Sequence, residues 1–555
     1  MSKKVVIVGG VAGGAGTAAR LRRLDESAQI VLLERGDYIS FANCGLPYYI
    51  GDTIKERGNL LVMPAALMKS RFNIDIRVKN EVVEILRAEK KVKVVNHETG
   101  KEYLEDYDTL VLSTGSSPLM PNIEGIEGDN IFRLWNMNDT DRLKAYVVEK
   151  KPKSAVVVGG GFIGLEMVEN LIHLGLDVSL VEMQEHVMPN VDLDIAKVIH
   201  SELEKNGVKL YLGKGVTAFG DGEKGKVVTL NTGEKLTCDM VMLCIGVSPN
   251  GQLAKNAGLR VNQRGGIIVD DYLKTEDESI YALGDVIEVK NFVSGKPVMI
   301  PLAGPANKQG RICADNINGK KVAYPGSMGT SVAKIFDLAV AATGLTKKAL
   351  QMNGLELGKD FFEVKTHAWS HATYYPGSSQ MAIKLFFDKD GKILGAQAAG
   401  KEGVDKRIDV IATVMELGGN VSDLKNLELC YAPPFSSAKD PVNMLGFMAD
   451  NKMSGLVDFI SCEQLEDLDR DQTIILDVRE QAEVDNGHIP GITHIPLGEL
   501  RDRLGELDQN KKIVVVCAIG LRAYIGCRIL RLNGFKDVVD LSGGYTTYKT
   551  LHQSF

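Results

Sequence analysis

The sequence contains no Cys-x-x-Cys pair. Its eight cysteines (44, 238, 244, 313, 430, 462, 517 and 527) are scattered, and none sits at a metal-ligand spacing. That pattern argues against a disulfide scaffold or a metal site and predicts reduced thiols in a cytosol. No apolar run is long enough to span a bilayer. The first strand is read as beginning by Lys3, so no signal peptide is expected. The formal net charge is only -7, so no global field draws the chain to nucleic acid, and any anionic ligand must meet a local basic patch. A cytoplasmic protein without nucleic-acid or membrane partners is expected.

What is present is length and glycine patterning. A chain of 555 residues exceeds one hydrophobic core, and two to four domains are expected. Residues 3 to 34 read as strand (Val5 to Val8), glycine turn, helix (Ala15 to Leu24) and strand (Ile30 to Leu33), ending at Glu34. Residues 154 to 182 repeat the pattern, from Ala155 through Gly159-Gly160-Gly161-Phe162-Ile163-Gly164 to Glu182. Two such βαβ units predict two doubly wound nucleotide-binding domains.

The second unit satisfies G-x-G-x-x-G with Gly159, Gly161 and Gly164. Its helix N-terminus offers amides and partial positive charge to a pyrophosphate. Glu182 is placed to accept from ribose hydroxyls and to repel a 2′-phosphate, which favours NADH over NADPH. The first unit departs from the rule, with Val11 where the middle glycine belongs, and Gly10 and Gly13 are expected to compensate.

Two further segments, Leu110-Val111-Leu112-Ser113-Thr114-Gly115 and Tyr281-Ala282-Leu283-Gly284-Asp285, resemble the later motifs of FAD-dependent pyridine nucleotide-disulfide oxidoreductases. The resemblance covers roughly residues 1 to 450. It implies an FAD-binding domain (1–120 and 247–326), an NAD-binding domain (121–246) and an α+β dimerisation domain (327–450), hence a homodimer. FAD contacts are then expected at Gly9, Gly10, Ala12, Gly14, Glu34, Arg35, Thr114, Gly115, Asp285 and Ala303, with Asp285 on the ribityl chain. NAD contacts are expected at Gly159, Gly161, Phe162, Ile163, Gly164, Glu182 and Gly246.

Cys44 follows the first unit, in Ser40-Phe41-Ala42-Asn43-Cys44-Gly45-Leu46-Pro47-Tyr48, and the next cysteine is Cys238. A lone thiol cannot store two electrons as a local disulfide, so it must cycle through a mixed disulfide, a persulfide or a sulfenic acid. The motif is similar to that of coenzyme A-disulfide reductases, and Ser40 and Asn43 are expected on the substrate side. Arg20 and Arg23, three apart on the first helix, could clamp the phosphates of coenzyme A. Ala303 to Arg311, with Asn307 and Lys308, resembles the segment beside flavin and substrate. By the same resemblance, Tyr431 and one of Tyr374 and Tyr375 reach the partner subunit's active-site cysteine, where a phenol can protonate a leaving thiolate.

The stretch 450–454 reads as a linker, and residues 455–555 resemble a rhodanese domain. The resemblance rests on Leu476-Asp477-Val478-Arg479, Gly487-His488-Ile489-Pro490-Gly491 and the strand–loop–helix Val514 to Ala523 around Cys517. Loop amides and Arg522 are expected to depress the Cys517 pKa and to stabilise a persulfide anion. Ala518 replaces a basic residue common in such loops, which disfavours a dianionic donor such as thiosulfate. Cys527 is expected in the core.

The chain is therefore expected to be α/β, with two doubly wound domains, a dimerisation domain and a rhodanese-like domain. Its expected activity is NADH-dependent reduction of coenzyme A disulfide, coenzyme A persulfide or polysulfide through Cys44, with sulfane sulfur carried by Cys517. Coenzyme A would be substrate or bound carrier. The alternatives are an NADH oxidase or peroxidase working through a Cys44 sulfenate, and a sulfurtransferase or redox-sensing carrier.

Overall fold

The computed structural model describes residues 3–223 and 225–553. The chain divides into two compact units, 1–185 with 211–329, and 186–210 with 330–555. In the first unit the valine- and leucine-rich strand Lys4–Val8 lies at the centre of a parallel sheet. The order is Ile280–Ala282, Thr109–Leu112, Lys4–Val8, Gln29–Glu34, Asp75–Val78. Near-continuous apolar runs are what a sheet covered on both faces requires; Val6, Ile7, Leu32, Leu110 and Val111 are fully buried. The second parallel sheet places Ser154–Val158 between Asp177–Glu182 and Met240–Leu243. In both sheets the glycine turn emerges at the carboxyl end of a central strand, where doubly wound folds bind ligands.

The second unit holds an antiparallel five-stranded sheet. Its order is Ser331–Ile335, Leu338–Gly344, Ile393–Gly400, Gln380–Asp388, Phe361–Trp369. It also holds a parallel sheet in which Lys512–Val516 lies between Val538–Leu541 and Thr473–Asp477. Two boundaries differ from expectation. The helix Leu193–Lys205, expected within the NAD-binding segment, belongs to this unit. Its Asp194 pairs at 2.8 Å with Lys365 and at 2.9 Å with Lys384, and both lysines are buried. The stretch 450–454 is not an open linker. Residues 450–453 form the last turn of the helix Pro441–Met453, which starts with a capping box at Asp440 and proline at its first position. The C-terminal domain packs directly on strand Phe361–Trp369, through the Lys365 N–H to Ser542 Oγ (2.9 Å) and His367 Nε2 to Thr547 Oγ1 (2.8 Å). Among the described residues no helix is long and apolar enough to cross a membrane.

Candidate active site

The two glycine turns share one stereochemistry. Gly9 and Gly159 have φ of +100° and +106°, a region costly for any residue with a Cβ. A Cβ on Gly14 would lie 1.9 Å from Gly9 O, and one on Gly164 would lie 1.9 Å from Gly159 O. Helix and strand therefore approach as closely as backbone permits. Glu34 accepts from the N–H groups of Gly10 and Gly36 at 2.8 Å each. Glu182 does the same toward Gly160 (2.7 Å) and Gln184 (2.8 Å). The turns differ at the middle position. Nothing lies within 4 Å of a Cβ on Gly161, whereas Val11 fills its counterpart. Gly10 and Gly13 leave no such open space. Their absent Cβ atoms would meet Ile39 Cγ2 at 2.6 Å and Leu283 Cδ1 at 2.2 Å. Both glycines therefore permit close packing on one side while they line the cavity on the other.

Beside the first turn lies a cavity of about 670 Å³ lined by Gly9 to Gly13, Glu34, Arg35, Thr114, Gly115 and Asp285. Arg35 stacks over Trp135 with 5.5 Å between guanidinium carbon and ring centroid. Thr114 is fixed by reciprocal bonds with Asn250 (2.9 and 2.8 Å). Ser116 Oγ donates to Asp285 at 3.2 Å, and burial raises the Asp285 carboxyl above the usual range. Gly115, at φ +65°, has open space where a Cβ would point. A glycine turn opening a helix, a ribose-length carboxylate and a cavity of this size fit a flavin dinucleotide. In the second unit-forming turn, Phe162 and Ile163 begin the helix Phe162–His173, and Gly246 (φ +103°) follows strand Met240–Leu243 much as Gly115 follows Thr109–Leu112.

The cysteine loop follows strand Gln29–Glu34 and is tied back to the first glycine turn. Ser40, in left-handed backbone at φ 45°, donates its N–H to Gly10 O at 2.9 Å. Phe41 and Asn43 line the cavity, and Cys44 follows them in a single turn, Asn43–Gly45. Cys44 is exposed, and all eight cysteines are free. The protein packed around it still pushes the thiol above its ordinary range by desolvation, and the carboxylates of Glu166 and Asp285 push it further. Glu166 was missed by sequence reasoning, although it stands two residues beyond Gly164. Tyr48 Oη donates to it at 3.4 Å, and burial lifts its carboxyl to about 7.

The substrate-side residues divide. Arg20 is taken by Asp315 at 2.8 Å, while Arg23 is exposed and bonds Ala19 O. Ala303, Asn307 and Lys308 are exposed on the first turns of helix Ala303–Ile317. In the second unit, Tyr374 Oη and Tyr431 Oη are 2.8 Å apart, whereas Tyr375 sets its ring edge-on to His371 at 5.7 Å.

Cys517 directly follows strand Lys512–Val516, and its Sγ accepts from Gly520 N at 3.1 Å. The expected depression of its pKa does not hold. Burial and the Asp540 carboxylate raise the thiol, outweighing the amides of Ala523, Gly520 and Ile519. Arg522 is committed to Glu483 in a two-pronged pair of 2.6 and 2.7 Å. Cys527 is fully buried in the helix Leu521–Leu532.

Residues 3–310 match the pyridine nucleotide-disulphide oxidoreductase family. Residues 330–441 match that family's dimerisation domain, and 461–551 match the rhodanese-like domain. The coenzyme A disulfide reductase of Staphylococcus haemolyticus is 35% identical over 449 residues, 80% of this chain and 99% of that one. The crystal structure of reduced Bacillus anthracis CoADR-RHD superposes with a TM-score of 0.97 at 49% identity, covering 99% of this chain and 98% of the other. A NAD-dependent persulfide reductase from A. fulgidus gives 0.90 at 37% identity, covering 98% and 100%. With its paired glycine turns, the exposed Cys44 near the first of them and the strand–loop–helix at Cys517, the chain belongs to the pyridine nucleotide-disulphide oxidoreductase family and carries a C-terminal rhodanese-like domain.

Proposed function

We propose that this enzyme uses NADH to reduce the S–S bond of coenzyme A disulfide, coenzyme A persulfide or polysulfide, with Cys44 as its one redox-active thiol. The observation that carries this reading is the isolation of Cys44. It is exposed, it directly follows cavity-lining Asn43, and the next cysteine in sequence is Cys238. In this reading no second thiol of the loop stores a disulfide, and the sulfur partner comes from the substrate.

Gly9, Gly14, Glu34, Thr114, Gly115 and Asp285 would hold FAD, and Gly159, Gly161, Gly164 and Glu182 would hold NADH. When bound, the two cofactors supply the electron pair that frees Cys44 after each turnover. Cys44 thiolate attacks one sulfur of the substrate; a bond from Cys44 to that sulfur forms, the S–S bond breaks, and the other sulfur leaves as thiolate. The Glu182 carboxylate disfavours a 2′-phosphate, so NADH is preferred to NADPH. Glu166, titrating near neutrality beside Tyr48, can hold a proton close to the sulfur. Trp369, Tyr374, Tyr375, Tyr431, Phe435 and Phe447 form an exposed aromatic set on the dimerisation domain, which supports a homodimer in which the Tyr374–Tyr431 pair protonates the thiolate leaving the partner's Cys44. Exposed Arg23 and Lys308, rather than Arg20, are the cations available to coenzyme A phosphates. Cys517 accepts and passes on sulfane sulfur. The relatives named for coenzyme A disulfide and persulfide reduction support both substrate classes.

The test is anaerobic NADH oxidation with coenzyme A disulfide, coenzyme A persulfide or polysulfide as sole acceptor, set against oxygen and peroxide. Fast turnover of a sulfur acceptor is expected. Turnover of oxygen or peroxide alone would make the enzyme an oxidase or peroxidase.

A further inference from the structure

The loop after Cys517 turns on a single peptide. Gly520 N–H donates to Cys517 Sγ at 3.1 Å, and the carbonyl of the same peptide, that of Ile519, accepts from Thr366 Oγ1 at 3.2 Å. A trans peptide is rigid and points its C=O and N–H in opposite directions, so a donor that fixes the carbonyl also aims the N–H. Gly520 has φ of +120°, a conformation that glycine adopts at small cost, so no side chain of its own locks this peptide. The carbonyls of Cys517 and Ala518 are held from within the C-terminal domain, by the amides of Tyr545 (2.8 Å) and Thr546 (3.0 Å). The Ile519 carbonyl is held from outside that domain, by a side chain of the strand Phe361–Trp369. Thr366 is 3% exposed, and its neighbours Lys365 and His367 are each bonded to the C-terminal domain, which holds the strand carrying the hydroxyl against the loop.

We infer that Thr366 is a positioning residue for the Cys517 sulfur loop: by holding the Ile519 carbonyl outward it keeps the Gly520 N–H on the sulfur, so that a strand of the dimerisation domain sets the reactivity of the rhodanese-side cysteine. The inference deepens the reading of Cys517 as the sulfur carrier and rests on it for its purpose, though not for its geometry. The other titratable groups facing Cys517 are Asp540 on strand Val538–Leu541 and, on helix Leu521–Leu532, Cys527 and the Glu483-paired Arg522. A change at Thr366 alters none of them.

The experiment compares full-length wild type with Thr366→Val, which keeps the β-branch and removes the hydroxyl, and Thr366→Ser, which keeps the hydroxyl. Iodoacetamide alkylation of Cys517 is followed against pH by peptide-resolved mass spectrometry, with Cys44 as internal control. The midpoint of the profile is read, because loop access changes its amplitude only. Losing one amide hydrogen bond to a charged sulfur should raise the Thr366→Val midpoint by about one pH unit, a roughly tenfold slower reaction at pH values well below the midpoint. Thr366→Ser should stay within about twofold of wild type, and Cys44 should not move. A Thr366→Val profile that superimposes on wild type overturns the inference. So does an equal shift in both variants, since the hydroxyl would then be idle. Loading of wild-type Cys517 from a small persulfide is measured in parallel; failure to load would remove the carrier reading while the alkylation comparison stands.

Discussion

Replacing Gly164 with alanine puts one methyl group where the backbone leaves no space. Its Cβ would lie 1.9 Å from Gly159 O, against a contact distance of roughly 3.5 Å, so about 1.5 Å must be found. Neither side can yield easily. Gly159 N–H is bonded to Val181 O at 2.8 Å, its φ is +106°, and Gly164 lies in the first turn of its helix. Overpacking costs about 1–3 kcal/mol where side chains can adjust, and a backbone clash sits at or above the top of that range. A loss of about 3 kcal/mol is a roughly 150-fold weaker Kd. Gly14→Ala imposes the same clash, 1.9 Å from Gly9 O, on the other turn. The two variants should therefore fail differently. Gly164→Ala should keep its flavin absorbance and need about a hundredfold more NADH to bleach it in an anaerobic titration. Gly14→Ala should be purified largely without flavin. If Gly164→Ala bleached at NADH concentrations within threefold of wild type, or lost flavin as Gly14→Ala does, the assignment of one cofactor to each turn would be refuted.

Glu182→Ala removes the carboxylate held by Gly160 and Gln184, and the ratio of kcat/KM for NADH over NADPH should fall by about tenfold; an unchanged ratio would clear Glu182 of that role. The proposed attack by Cys44 requires its thiolate, and its pKa is raised by burial and then by Glu166 and Asp285, so its alkylation rate should climb as pH rises through that elevated value. In Glu166→Gln the repulsion is gone and the midpoint should move to lower pH, most clearly above pH 7, where Glu166 would otherwise be charged; a fixed midpoint would mean that Glu166 does not act on the sulfur. Asp440→Ala strands the buried Arg407, bonded to Asp440 at 3.0 Å, and should cost about 3–5 kcal/mol in denaturant unfolding, where a loss under 1 kcal/mol would contradict the assigned pairing.

Both nucleotide turns were legible in the sequence because their constraint is local. Gly9, Gly14, Gly159 and Gly164 are needed by backbone contacts within a few residues, and Val-rich strands flank them. Cys44 drew its proposed role through what the sequence around it lacks, a second cysteine nearby. Side chains whose roles depend on distant partners were not legible. Arg20 meets Asp315 across 295 residues and Arg522 meets Glu483 across 39, so a cation read from either position alone is already neutralised. Asp540 reaches Cys517 only because its strand lies next to Lys512–Val516, and no spacing rule announces that burial there outweighs the loop amides. The helical end of the 450–454 stretch did have a local signal, Asp440-Pro441 with Asn443 closing the capping box, nine residues before the stretch it governs. Tyr374 and Tyr375 are indistinguishable as neighbours in sequence; the 2.8 Å approach of Tyr374 to Tyr431 separates them.

The central claim is that Cys44 alone hands electrons to sulfur. Rapid anaerobic mixing of Cys44→Ser with NADH, followed by coenzyme A disulfide or polysulfide, tests it most directly. The flavin should bleach at a rate within about twofold of wild type, since hydride transfer needs no thiol, and its reoxidation by either sulfur compound should slow by roughly a thousandfold or more, as when a nucleophile is deleted. Reoxidation at the wild-type rate would place the sulfur chemistry elsewhere and contradict the account.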